Sequence, residues 1–87
     1  MKTTTLSWKS ALFDINAVLK ENTDVSASAR HSIMEELRRD SVAKRLGEQV
    51  FMVRIVNGEI EIYFGPRDWG FNTRTGELLG VGTYLGG

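Results

Sequence analysis

Arg67, Asp68, Trp69 and Arg74 fall within one short stretch, Gly65-Pro66-Arg67-Asp68-Trp69-Gly70-Phe71-Asn72-Thr73-Arg74-Thr75-Gly76. A guanidinium forks onto carboxylates, and an indole offers a broad apolar face with one donor. Trp, Tyr, Met and Arg are the types enriched where proteins bind proteins. Met52, Tyr63 and Tyr84 supply more of the same types on the neighbouring strands predicted below. Together with the first four they form the candidate protein-binding set.

A second set is basic: Arg30, Arg38, Arg39, Lys44 and Arg45, all in one predicted helical segment. Such cations can neutralise a phosphate backbone. Two features weigh against a nucleic-acid role. Glu35 stands four residues before Arg39 and Asp40 four before Lys44, the favourable order for helix ion pairs worth about 0.2–0.5 kcal/mol each. The cations are also spread around the helix rather than aligned.

Catalytic chemistry finds less to work with. His31 is the single histidine, with Glu35 one turn later. Two ligands do not make a metal site, and acid–base catalysis needs a further positioned group. The chain has no cysteine and none of the GxSxG, HExxH, P-loop or EF-hand patterns. Gly80-Val81-Gly82-Thr83-Tyr84-Leu85-Gly86 has the glycines of a phosphate loop but no following helix. Those glycines are expected to permit twist, or close approach by Trp69 or Phe71. No catalytic, cofactor-binding or metal-ligating residue is therefore expected, and the chain is read as a non-enzyme.

The totals agree. With 87 residues, a single domain over 1–87 is expected. Apolar residues at 41% and charged residues at 25% describe a chain that folds rather than a disordered one. Eleven basic residues balance eleven acidic ones, which lowers the expectation of nucleic-acid binding. No apolar run approaches the ~20 residues of a membrane span. The start, MKTTTLSWKSALF, lacks the continuous apolar segment of a signal peptide. The missing cysteines fit a reducing compartment, so a cytoplasmic location is expected.

The elements that must position these residues follow from periodicity. Trp8, Ala11, Leu12, Ile15, Val18 and Leu19 recur at helical spacing, with Ser7 as N-cap and Leu6 placed for a hydrophobic staple. Phe13 lies off this stripe and is expected at the edge of the core. The first helix is predicted over about 7–21 and a second over about 25–46, capped by Thr23 or Asp24. The second is read as continuous or kinked through Asp40-Ser41, ending at Gly47.

The second half reads as strands at about 49–56, 59–64, 68–72 and 77–84. Asn57-Gly58 predicts a two-residue hairpin turn, and counting outward pairs Val56 with Glu59, Ile55 with Ile60, Arg54 with Glu61, Val53 with Ile62, Met52 with Tyr63 and Phe51 with Phe64. This register puts six apolar side chains on one face and the Arg54–Glu61 pair on the other. Residues 73–76 read as a type I turn, with Gly76 the left-handed residue of a bulge.

The fold expected is α+β: two N-terminal helices packed on one face of a four-stranded antiparallel β-meander. The sequence leaves open whether Trp69 and Phe71 share the covered face or the open one. The function expected is a small protein-binding module, an inhibitor or accessory factor of bacterial or phage type. It would dock on a larger protein through an aromatic/arginine sheet surface or an open strand edge. Nucleic-acid binding through the basic helix is the first alternative. The second is a homodimer or structural oligomer joined through the fourth strand, which runs toward an uncharged Leu85-Gly86-Gly87.

Overall fold

A computed structural model of the chain describes residues 4–84. Leu85-Gly86-Gly87, the uncharged stretch after the predicted fourth strand, lies outside the described residues. Among those described, no helix is long and apolar enough to cross a membrane.

Helix α1 runs Trp8–Glu21 and buries Trp8, Ala11, Ile15 and Leu19 of the predicted stripe, whereas Leu12 is partly buried and Val18, at the stripe's edge, is exposed. Ser7 caps it, its hydroxyl accepting from the Ser10 N–H at 3.2 Å. Leu6 packs against the core. Its backbone also exchanges two hydrogen bonds with Gln49, each 2.9 Å, tying the start of the helix to the chain that leads into the sheet. Phe13 is well exposed rather than at the core edge, because it faces away from the sheet.

Helix α2 runs Ala27–Arg38 and buries Ala29, Ile33, Met34 and Leu37. Its cap is Ser26 rather than Thr23 or Asp24, with the Ala29 N–H 3.0 Å from the serine hydroxyl. Asn22 Oδ1 accepts from the Asp24 N–H at 2.9 Å. That Asx turn carries the chain past the expected caps before the helix begins.

The second helix does not continue to Gly47. Asp40 takes an extended backbone, φ −75 and ψ 106, and caps a separate one-turn helix α3, Ser41–Lys44. Its carboxylate serves the Ala43 N–H at 2.9 Å. Gly47, with φ 71, still supplies the left-handed residue that turns the chain toward the sheet.

Four strands follow: β1 Phe51–Val56, β2 Glu59–Phe64, β3 Arg67–Asn72 and β4 Leu78–Thr83. They form one antiparallel sheet in sequence order. The β1–β2 register is the predicted one at all six pairs. Asn57 (φ 51) and Gly58 (φ 79) both take the positive φ that such a turn needs.

Gly65 and Pro66 form a second two-residue turn, so β3 begins at Arg67, earlier than expected, and Phe64 pairs with Arg67. Gly65 has φ 57, and a side chain there would run into Gln49. In the last turn Gly76, φ 73, donates to the Asn72 carbonyl at 2.8 Å, as a left-handed turn residue should.

The helices cover the middle of the sheet. Ile60, Ile62, Phe64, Trp69 and Phe71 are buried against them, whereas Phe51, Val53 and Ile55 on β1 are partly buried. On β4 only Leu78 joins the core; Leu79 and Val81 are exposed. A register shift between Gly70 and Phe71 leaves Leu79 as the extra residue opposite them.

Candidate partner-binding surface

Trp69 lies on the covered face. It pairs with Ile62 across β2–β3 and stacks on Trp8, ring centroids 5.3 Å apart and 15° from parallel. Phe64 also packs on Trp8, ring centroids 4.8 Å apart and tilted by 55°. The indole N–H of Trp69 donates to Asp40 Oδ2 at 3.0 Å.

Arg67 reaches the same oxygen through Nε at 3.2 Å and Nη2 at 2.9 Å, and its guanidinium lies 5.9 Å from the Trp69 ring centre. The Asp40 side chain is only 7% exposed and that of Arg67 17%. Burial pushes the Asp40 carboxyl up, but the Ala43 N–H, Arg67 and Trp69 together outweigh it and hold the group below the ordinary aspartate value. These two members of the candidate set thus serve the fold: a buried clamp joins α3 to β3.

Of the other five, Met52, Tyr63 and Asp68 lie side by side as cross-strand neighbours on the open face, while Arg74 and Tyr84 stand apart from them. Met52 is exposed on the open face of β1. Tyr63, on the same face, is half-buried and donates to Glu61 at 3.3 Å. Arg54 approaches Glu61 at 3.6 Å. Asp68 faces the open side between Tyr63 and Gly82, its partners on either hand. Arg74 is exposed in the β3–β4 turn, and Tyr84 is exposed just past β4, its N–H donating to the Pro66 carbonyl.

The helix cations do not form a stripe. Arg30 donates to Asn16 Oδ1 at 3.1 Å, and Arg39 approaches Glu36 at 3.8 Å. Asp40 pairs with Arg67 rather than Lys44, because as a cap its carboxylate turns inward. Glu35 instead meets His31 at 3.2 Å on the exposed side of α2. Arg38, Lys44 and Arg45 stand in solvent.

What the fold does bring together is an open strand edge beside an acidic floor. Among the described residues, β4 has β3 on one side and no strand on the other. Its residues, Leu-Leu-Gly-Val-Gly-Thr, carry no charge, and Leu79 and Val81 are 54% and 46% exposed. On the open face Gly70, Gly80 and Gly82 have no side chains, leaving a groove of about 340 Å³ lined also by Glu59, Glu61, Tyr63 and Asp68. Glu59 lays its carboxylate over Gly70: Oε2 is 2.6 Å from where a Cβ would stand. Among the described residues, neither Glu59 nor Asp68 forms an ion pair.

Comparison with protein families, curated proteins and solved structures found no match.

Sequence reasoning placed Glu59 on the outer face and Leu79 and Val81 on the fourth strand but named none of them as a site residue. The signal was present in the turn chemistry. Taking Gly65-Pro66 as a complete two-residue turn pairs Phe64 with Arg67 and so puts Trp69 opposite Ile62, on the core face. Asp68, Gly70 and Asn72 then fall on the open face beside Glu59 and Glu61.

Proposed function

We propose that this chain is a small non-enzymatic binding module that docks on a larger protein by adding a strand of that partner to β4. The observation that supports the reading is the edge itself: six residues without a charge or a proline, two large apolar side chains exposed, and, among the described residues, no strand on its outer side. Unpaired edge N–H and C=O groups are a template for another strand, and proteins that do not use such an edge tend to block it. The role this fits is that of an inhibitor or accessory factor of bacterial or phage type, acting in the cytoplasm, where a cysteine-free domain needs no oxidising milieu.

A photo-crosslinking amino acid in place of Leu79, and separately in place of Arg38 on the opposite layer, tests the reading in the native cell. A discrete partner band from position 79 and none from 38 is expected. Equal bands from both positions, or none from 79, overturn it. The same uncharged edge supports a second reading, a homodimer through β4. Sedimentation at high protein concentration separates the two, since a monomer removes the homodimer.

A further inference from the structure

The open edge and the bare floor beside it constrain what kind of strand can be added. Gly80 pairs with Gly70 and Gly82 with Asp68, so both β4 glycines face the open side. Strands in a sheet sit about 4.8 Å apart, which puts a strand added to β4 about 9.6 Å from β3. Ordinarily the side chains of β4 would stand between them. Here two of the three residues from Gly80 to Gly82 have none, and a Cβ built on Gly80 meets no atom within 4 Å.

Two carboxylates wait across this gap. Asp68 lies directly beyond Gly82, with Oδ1 3.4 Å from where a Gly82 Cβ would be. Glu59 holds Oε2 above Gly70, directly beyond Gly80. The long stem of a lysine or arginine spans more than one strand spacing and lies comfortably over an uncovered backbone. A cation on the added strand opposite Gly82 therefore reaches Asp68, and one opposite Gly80 reaches Glu59. Those two positions are separated by one residue. The intervening residue points to the other face, beside the exposed Val81.

Charge decides between the candidate occupants. β4 carries no cation, so a second copy of this chain laid along it leaves both carboxylates unpaired. A partner strand with basic residues two apart pairs both, in hydrogen bonds strengthened by the charges. Glu61 is already engaged by Arg54 and Tyr63 and contributes less.

Building on the strand-addition reading above, we infer that β4 accepts an extended segment of another protein with the pattern basic–apolar–basic, its two cations crossing Gly82 and Gly80 to Asp68 and Glu59. The apolar residue between them packs beside Val81, and the edge of β4 supplies the backbone hydrogen bonds.

The test uses three labelled seven-residue peptides alternating valine with arginine, with citrulline or with glutamate. Binding to the full chain is followed by fluorescence anisotropy, and the site by amide NMR. The arginine peptide is expected to bind at least about tenfold more tightly than the citrulline peptide, to weaken with added salt, and to protect β4 amides. The doubly substituted Glu59→Gln, Asp68→Asn chain should bind both peptides alike. Gly80→Val, which fills the gap where no atom is met, should weaken the arginine preference without abolishing it, since Asp68 stays reachable across Gly82, while its thermal melt shows a folded protein. Equal binding of all three peptides at β4 overturns the basic pattern and leaves strand addition standing. No binding of any peptide, with β4 amides still exchanging, removes both. Binding of the arginine peptide with perturbed amides confined to the helices also overturns the inference. Concentration-dependent self-association through β4 does so as well, with a second copy as the occupant.

Discussion

Strands β1 and β4 are both six-residue edges of one sheet, yet they meet solvent differently. On β1 every second residue, Phe51, Val53 and Ile55, packs partly under the helices, and Arg54 sits in the middle of the outward row. The chain leading into it is held by the Leu6–Gln49 backbone pair. On β4 only Leu78 reaches the core, no charge is present, and two glycines strip the open face. A mid-strand charge and a covering segment are the ordinary ways of guarding an edge. Among the described residues, β1 has the mid-strand charge and a backbone pair just before its first residue, whereas β4 carries no charge along its length. The cost of leaving β4 bare is a risk of unwanted pairing, and it is on this difference that the proposed docking rests.

The clamp beside β4 allows the sharpest break in this comparison. Asp40→Ala should cost about 3–5 kcal/mol in urea unfolding, because Arg67 and the Trp69 N–H would be left buried without their acceptor. Arg67 also donates to Thr83 Oγ1 on β4 at 2.9 Å, so the end of β4 should open more readily in hydrogen exchange as global stability falls.

The same carboxylate gives a pH signature. Its folded pKa lies below the unfolded aspartate value, so in acid the unfolded chain binds the extra proton first. Its stabilisation is fully present above the ordinary aspartate range and is lost as pH falls through the depressed folded value. An acid titration of stability should show this loss in the parent chain. In Asp40→Asn the slope in that window should be shallower.

Gly76→Ala should cost about 2 kcal/mol, since it places a Cβ at φ 73 and 2.5 Å from the Ala29 carbonyl oxygen. Thermal melts measure this, and the β3–β4 turn is where it would loosen the sheet. The smallest effect on stability is the most informative for function. Val81→Lys adds the missing edge charge at a half-exposed position and should shift stability by no more than about 0.5 kcal/mol. It should nevertheless suppress crosslinking from position 79. The matching change on β1, Val56→Lys, should be equally mild for stability and leave the crosslinking intact. If the two lysines affect crosslinking alike, the contrast between the edges has no functional meaning.

Much of the fold was legible because its signals are local. Asn57-Gly58 sets its own geometry, and the alternation on either side leaves a single register that keeps charges out of the core. Ser7 and the stripe behind it defined α1 for the same reason. Asp40 was misleading from sequence because a cap and a helix ion pair share the same residue type and spacing. Its partner Arg67 is 27 residues away, and no short-range pattern announces that contact.

The candidate surface was less legible still. Trp69 and Arg67 have the composition of a recognition patch, but composition does not say which face of a strand is covered. The sequence by itself determined the helices' apolar stripes, the hairpin and the order of the strands, all set by turns and periodicities spanning a few residues. Only the tertiary structure decided that the helices sit over β2 and β3 and stop short of β4. That depends on how far two packed layers overlap, a balance of apolar area and shape summed over the whole core. The same overlap buries Trp69, draws Asp40 onto Arg67, and leaves Glu59 and Asp68 facing an uncovered edge.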